Sequence, residues 1–464
     1  MVRQSLKNID VMIKQKGLHI AEIVGFWRTT AIVLLLFALN FTLDIKAADF
    51  SGQFYTCSEA YPIKIGSAED LASLSEQFNE LDPGISLYVE LTDDIDASEV
   101  SDFVPFGYRV SEMFAGVDLY FDGKGHTIKN LTIQMPETAM TVFAGFISVL
   151  NDGVVKDVKF ENCTVNALYN GYDQVIMGAG IAVGVVIGGK VENVEVSGQV
   201  NISAFMNAMG VGGALGSVYP FGHTDTYVNN ITSDVEVNVY RFDAYNQVSE
   251  IDNGLLFSDY CIVGGAIGSI DVSSISLDTP VTTVKNVKTL KNTKLSVPTS
   301  GLKNTIGGVV GLIFKNEKLA SLNIENLSNY ADVILPSSEG VGGVVGAMSS
   351  VKEDVNFTVK GFYNAGRISG KKFVGGLAGA SLYTNIYNGI NIGNVSGGDA
   401  SSENVGGLAG YYRLLDCTDI SGISMSCCTN CGVVSNENKS SQSTGALLGE
   451  YNQFTDDDNV PHYP

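Results

Sequence analysis

The chain reads as all-β, wound as a parallel β-helix and closed at its N-terminal end by one capping helix. Three observations predict this. First, a six-residue box recurs: apolar residue, Gly, Gly, two small or apolar residues, Gly. It reads Val211-Gly-Gly-Ala-Leu-Gly216, Val263-Gly-Gly-Ala-Ile-Gly268, Ile306-Gly-Gly-Val-Val-Gly311, Val341-Gly-Gly-Val-Val-Gly346, Val374-Gly-Gly-Leu-Ala-Gly379 and Val405-Gly-Gly-Leu-Ala-Gly410. The first glycines of these boxes lie 52, 43, 35, 33 and 31 residues apart, intervals that mean a solenoid or an array. Second, the segments between boxes alternate with period two, as in Val155-Lys-Asp-Val-Lys-Phe160 and Val191-Glu-Asn-Val-Glu-Val196, which is a strand signal. Third, the composition suits stacked strands. There are 52 glycines in 464 residues, against a usual share of about 7 per cent. Only 17 % of residues are charged and only 10 are proline, and proline is kept out of paired strands.

The elements follow in order. Residues 1–47 read as a leader. Ala31 to Leu43 is a short apolar run behind Arg28, with Arg3, Lys7, Lys14 and Lys16 upstream and Ile45-Lys46-Ala47 before Ala48. That order describes a secretory signal, and the run falls short of the roughly 20 residues that span a bilayer. An uncleaved anchor is the alternative, and the length of the leader makes Met12 a candidate start.

Residues 48–135 form an N-terminal cap and the first rungs. Ser67-Ala-Glu-Asp-Leu71 opens a helix, with Ser67 placed to cap it and Leu71, Leu74 and Phe78 on one face. Asp82-Pro83-Gly84 marks its end. A solenoid exposes an open core at its first rung, so a helix laid across it is the expected closure. Residues 136–450 carry the repeats, with a weaker box at Thr444-Gly-Ala-Leu-Leu-Gly449 and a degenerate early one at Val142 to Ile147. Residues 451–464 read as a tail.

The box glycines Gly212, Gly213, Gly264, Gly265, Gly307, Gly308, Gly342, Gly343, Gly375, Gly376, Gly406 and Gly407 are expected to be structural. Stacked box on box, they form columns where the wall bends, through positive φ or close backbone approach.

The boxes at 374–379 and 405–410 resemble GLUG motifs of bacterial secreted and surface proteins. The opening unit resembles the segment preceding such repeats, at Ile65-Gly-Ser-Ala-Glu-Asp-Leu71, Leu91-Thr-Asp-Asp-Ile-Asp96 and Phe121-Asp-Gly-Lys-Gly-His-Thr-Ile-Lys-Asn-Leu-Thr-Ile133. The likeness spans roughly residues 57–450. It implies a right-handed parallel β-helix in a secreted or cell-surface, adhesin-like protein. Similar repeats flank the catalytic domain of some IgA-cleaving metallopeptidases. This chain departs from those, because it holds no His-Glu-x-x-His and its histidines His19, His126, His223 and His462 are scattered.

Few residues invite a chemical role. The net charge of −22 argues against nucleic acid or anionic membrane as partner, leaving an uncleaved leader as the one route to a membrane. No catalytic residue, metal site or cofactor is expected. Asp93, Asp94 and Asp96 fall in the cap pattern and read as turn residues. Asp456 to Asp458 lack the glycine and distal glutamate of a calcium loop. The cluster Cys417, Cys427, Cys428 and Cys431 has three readings: repeat-turn positions first, a disulfide second, a zinc site third. Asn130, Asn162, Asn230 and Asn356 sit in Asn-x-Ser/Thr triplets that repeat-turn chemistry explains.

The candidate contact surface is the aromatic-rich insertion between the boxes at 211 and 263. Tyr219, Phe221, Tyr240, Phe242 and Tyr245 are its candidate binding residues, since aromatic faces stack on sugars and anchor protein partners. The competing reading, favoured by the size of the loop, packs these rings back onto the solenoid. The expected function is non-enzymatic binding or display, with an extracellular protein or glycan as ligand. The alternative is a carbohydrate-active β-helix enzyme, a polysaccharide lyase or hydrolase, or a non-catalytic fragment of a larger surface enzyme. Convergent carboxylates in one groove would favour the enzyme.

Overall fold

The computed structural model describes residues 48–80, 85–108, 118–136, 141–168, 175–204, 210–220, 225–242, 260–272, 280–298, 303–315, 321–350, 357–413, 425–438 and 443–452. Among them the strands pair in parallel, one coil upon the next. Four sheets run along the stack. Nine strands, from Thr141–Ala144 to Thr444–Gly445, form one sheet, and nine, from Ile147–Leu150 to Leu448–Asn452, form the second. A third sheet of 17 strands runs from Ile63–Ile65 to Thr429–Asn430. A short fourth sheet appears late, in Val333–Ile334, Ile368–Gly370, Val395–Gly397 and Val434–Ser435. The expected parallel β-helix is therefore present, and its later coils cross all four sheets.

Each box is a corner joining the first two sheets. Lys303–Gly307 enters it, Gly308 and Val309 turn, and Val310–Lys315 leaves. At the turn one carbonyl serves two donors of the preceding coil. Val309 O accepts from Ala266 N and Ile267 N, both at 3.0 Å, and Val344 O accepts from Val309 N and Val310 N in the same way. Corners also occur where the box is degenerate. Gly145 and Phe146 turn between Thr141–Ala144 and Ile147–Leu150, within the early box read at Val142 to Ile147, but Ala144 and not Val142 holds its first position, in register with Ala179. Ala179-Gly-Ile-Ala-Val-Gly184 turns in register with Val211–Gly216, a corner that its missing second glycine hides in the sequence.

The role of the glycines is narrower than expected. None of the described box glycines has a positive φ. What they share is lack of room. A Cβ on Gly343 would collide with Gly376 O and lie 2.6 Å from Asn364 Cγ, and one on Gly375 would meet Ala378 O and lie 2.7 Å from Gly410 N. Positive φ belongs instead to a column at a bend of the long sheet: Asp157, Asn193, Asn230, Asn286, Asn326, Gly361, Asn388 and Cys427, at φ between 52° and 71°. Asparagine and glycine tolerate this conformation best. Here the side chains also link rung to rung: Asn193 Nδ2 donates to Asp157 Oδ1 at 2.7 Å, and Asn230 Nδ2 to Asn193 Oδ1 at 2.8 Å. Asn130 and Asn162 make a similar pair at 2.8 Å, so turn chemistry accounts for the glycosylation-like triplets at Asn130, Asn162 and Asn230. Asn356 lies outside the described residues.

A second asparagine column lies inside the solenoid. Asn329, Asn364 and Asn391 are fully buried. Thr289 Oγ1 donates to Asn329 Oδ1 at 2.7 Å, Asn329 Nδ2 to Asn364 Oδ1 at 2.8 Å, Asn364 Nδ2 to Asn391 Oδ1 at 2.7 Å and Asn391 Nδ2 to Asn430 Oδ1 at 2.8 Å. Each of these asparagines also bonds backbone two residues on, which satisfies amides that would otherwise be costly to bury.

The N-terminal closure is as expected. The helix spans Ala68–Asn79, and Ser67 Oγ accepts from Asp70 N at 3.1 Å. Leu71, Leu74 and Phe78 are buried beneath it. Ser75 Oγ donates to Val104 O, and Asn79 bonds both Pro105 O and Gly107 N at 2.8 Å. Below lies an aromatic plug: Phe146 packs against Phe103, Phe106, Phe121 and Phe160 with ring centroids 5.1–5.6 Å apart. The Asp82-Pro83-Gly84 turn, the leader and residues 453–464 lie outside the described residues.

Candidate ligand-binding surface

Side chains alternate across a strand, so in-register stacking turns every outward position into a column. On the first part of the 17-stranded sheet two outward columns run side by side. One is Pro62, Tyr88, Tyr120, Val154, Lys190 and Tyr227, and the other is Lys64, Glu90, Asp122, Lys156, Glu192 and Asn229. A cavity of about 380 Å³ lies between Pro62, Tyr88, Tyr120 and Val154 of the first column and Glu90, Asp122 and Lys156 of the second, with Lys124 beside them.

The tyrosine wall is ordered by stacking. The Tyr88 and Tyr120 rings are 4.4 Å apart and within 6° of parallel. Burial raises the Tyr120 phenol, and the neighbouring Tyr88 and Asp118 push it the same way. The facing wall is a chain of alternating charge. Lys64 Nζ lies 3.8 Å from Glu90, Lys124 Nζ lies 3.3 Å from Glu90 and 3.2 Å from Asp122, and Lys156 Nζ lies 3.1 Å from Asp122. Burial tends to raise the Asp122 carboxyl, but the Lys124 backbone N–H and the ammonium groups of Lys156 and Lys124 outweigh it and hold it below the usual range. Lys124 sits in a tight turn, with φ of 52° there and 83° at Gly125, and Asp122 Oδ1 accepts from its N–H at 2.9 Å. Further along, Lys190 and Lys285 lie 5.4 and 5.0 Å from the Tyr227 centroid, one on each neighbouring strand, and Lys190 pairs with Glu192 at 2.6 Å.

The candidate residues of the insertion fare differently. Tyr219 is half-buried and packs on Phe143, Val149, Val185 and Ile187. Tyr240 is 61 % exposed, its hydroxyl 3.3 Å from Asn201 Oδ1. The structure does not bring these two into one site. Phe221, Tyr245 and the Phe242 side chain lie outside the described residues. Asp94 and Asp96 take the turn roles read from the sequence: Asp94 Oδ1 accepts from Thr127 N at 2.9 Å and faces His126 Nδ1 at 3.3 Å, and Asp96 Oδ1 accepts from Ser98 N at 3.1 Å and from Asn130 Nδ2 at 2.9 Å.

The described cysteines are all free thiols. Cys427 occupies the left-handed bend above which Asn388 stands in the previous coil, the repeat-turn position preferred on sequence grounds. Cys417 lies outside the described residues. Cys163 and Cys261 are buried, and burial pushes each thiol up to about 12. Among the described residues no group of three or more His, Cys, Asp or Glu could hold a metal ion.

Sequence reading missed the furrow. Its residues are scattered from Glu59 to Lys156, and only the rung-on-rung register joins them. The available signal was the recurrence of outward aromatic and charged residues in Leu87-Tyr-Val-Glu-Leu91 and Leu119-Tyr-Phe-Asp122.

Register and corners thus define a parallel β-helix with a furrowed flank. No protein-family model matches the chain, and no curated protein matches it. Among solved structures it is similar to a protein from Bacteroides ovatus proposed to be an immunoglobulin A1 protease, at 16 % identity and a TM-score of 0.38, covering 71 % of this chain and 76 % of that one. The fold described here rests on the strand register and not on that likeness.

Proposed function

We propose that the chain is a secreted or cell-surface β-helical repeat protein of the GLUG-like kind, which binds or displays an extracellular ligand and does not transform it. The observation that carries this reading is the state of the furrow's carboxylates. Glycoside hydrolysis needs one carboxyl kept protonated by a raised pKa and a second kept free at a set distance. Here Glu90 and Asp122 share Lys124, and Lys64 and Lys156 close the chain at its ends. Asp122 is lowered, the opposite of a general acid. The lysines hold these groups as fixed hydrogen-bonding partners, which suits recognition. Export rests on the leader pattern at residues 1–47.

The test offers the purified chain a panel of polysaccharides and extracellular-matrix proteins. Binding is read by surface plasmon resonance, and turnover by release of reducing ends or unsaturated products. Saturable binding without product supports the proposal. Product formation that disappears in Asp122→Asn would replace it with the carbohydrate-active enzyme.

A further inference from the structure

We infer that the furrow between the tyrosine and charge columns holds a neutral, unbranched glycan lying along the solenoid axis. This deepens the binding reading above and rests on it.

Shape is the first argument. The cavity crosses three successive strands, Leu87–Leu91, Leu119–Asp122 and the start of Val154–Leu168, and ends one strand spacing further on against Pro62, which precedes Ile63–Ile65. At about 4.8 Å per strand that is a trough of roughly 14 Å. A pyranose ring is about as long as one strand spacing is wide, so consecutive sugars would meet consecutive rungs.

Chemistry is the second. One wall offers two rigid tyrosines and then the small Val154, which leaves room beside Tyr120. The other alternates acceptor and donor in the order Glu90, Lys124, Asp122, Lys156. Vicinal hydroxyls are paired donors and acceptors, and they bridge a carboxylate and an ammonium without separating them.

Charge is the third. An anionic ligand would have to displace Glu90 or Asp122 from a lysine, and a cationic one would have to displace a lysine. The net charge of −22 further opposes a polyanion. A peptide fits less well. Peptides that join a sheet do so at an open edge, whereas Leu87–Leu91, Leu119–Asp122 and Val154–Leu168, which line the cavity, are each paired on both sides within the stack.

The experiment uses the full chain and isothermal titration with unbranched gluco-, manno- and xylo-oligosaccharides of increasing length, with heparin and polygalacturonate as charged counterparts. We expect at least one neutral series to bind, with affinity rising until the trough is filled and level beyond. Tyr88→Ala and Tyr120→Ala should each weaken binding about tenfold or more, the equivalent of about 1.4 kcal/mol. Tyr120→Phe should retain most of it, and Tyr387→Ala, exposed and outside the furrow, all of it. Circular dichroism checks that the variants fold. Failure of every neutral series, binding of polyanions alone, or neutral binding indifferent to both alanine variants overturns the inference. Those outcomes leave the binding reading standing if a matrix protein is captured. Turnover of a glycan that needs Tyr88 and Tyr120 would overturn the binding reading and keep the furrow.

Discussion

Replacing Gly343 by alanine tests the corner architecture at one atom. The new Cβ meets Gly376 O of the next coil and lies 2.6 Å from Asn364 Cγ and 2.8 Å from its Nδ2. Neither neighbour is free to retreat. Gly376 stands in a corner whose N–H donates to Gly406 O at 3.3 Å. Asn364 accepts from Asn329 Nδ2 and Gly366 N and donates to Gly366 O and Asn391 Oδ1. Overpacking alone costs about 1–3 kcal/mol, and leaving one buried amide group unsatisfied adds about 1–3. The expected loss is therefore about 2–6 kcal/mol. A solenoid unfolds by coils rather than all at once, so the assay is hydrogen exchange read by mass spectrometry on peptides from 339–350 and 372–382, beside a urea midpoint. At about 1.4 kcal/mol per tenfold, protection at these corners should fall at least about thirtyfold. Gly52→Ala, which adds a Cβ with nothing within 4 Å, should change nothing. In an Asn364→Ala background the Gly343 substitution should cost less, since one of its two obstacles has gone. A change under threefold in Gly343→Ala, or full cost in both backgrounds, would refute the account of the second box glycine.

Three further outcomes are expected. Gly375→Val and Gly406→Val should each destabilise the stack, because their first side-chain atom meets Ala378 O and Ala409 O respectively; unchanged urea midpoints in both would remove the first box glycine from the argument. Iodoacetamide at pH 8 should label the exposed Cys427 and Cys431 in the native chain and spare Cys163 and Cys261, whose thiols burial pushes up to about 12; rapid native labelling at 163 or 261 would contradict their burial. Asp122 has a folded pKa below its unfolded value of about 3.9, so its contribution is fully present above that value and is lost as pH falls through the folded one. The stability gap between the chain and Asp122→Asn should hold from neutral pH to about 4 and then close; a gap that closes between pH 7 and 5 would mean that the lysines do not hold the carboxylate.

Local features were legible and registered ones were not. The helix at Ala68–Asn79 carries its own signals, a capping serine and a repeating apolar face, and the six clear boxes name their own corners. By contrast Asn326 and Asn364 look alike in sequence, each following an apolar residue and one other. Asn326 takes the exposed left-handed bend, whereas in the next coil Gly361 takes that bend and Asn364 moves inside. Nothing local distinguishes them, because the choice depends on which neighbouring residue pairs with the previous coil. The furrow was hidden for the same reason. Tyr88 and Tyr120 are 32 positions apart, and coils of unequal length give no fixed offset from which to predict that their rings stack.

The inner column and the corner column explain each other. Following the inner position down the register gives Phe160, Val196, Ser233, Thr289, Asn329, Asn364, Asn391 and Asn430. Following the corner's second position gives Phe146, Ile181, Gly213, Gly265, Gly308, Gly343, Gly376 and Gly407. Where the inner residue is apolar the corner carries a side chain, as in the Phe146–Phe160 contact. Where it is Ser, Thr or Asn the corner is glycine, and a Cβ there would lie against that polar side chain: Ser233 Oγ for Gly213, Thr289 Cγ2 for Gly265, Asn329 for Gly308 and Asn430 for Gly407. The turn itself does not require glycine, since these residues have no positive φ and Ile181 makes the same corner. The second glycine of the box is therefore matched to the buried polar column, whereas at the first a side chain is excluded by backbone alone. The box becomes regular in sequence at the coil where the core changes from packed apolar side chains to a hydrogen-bonded column.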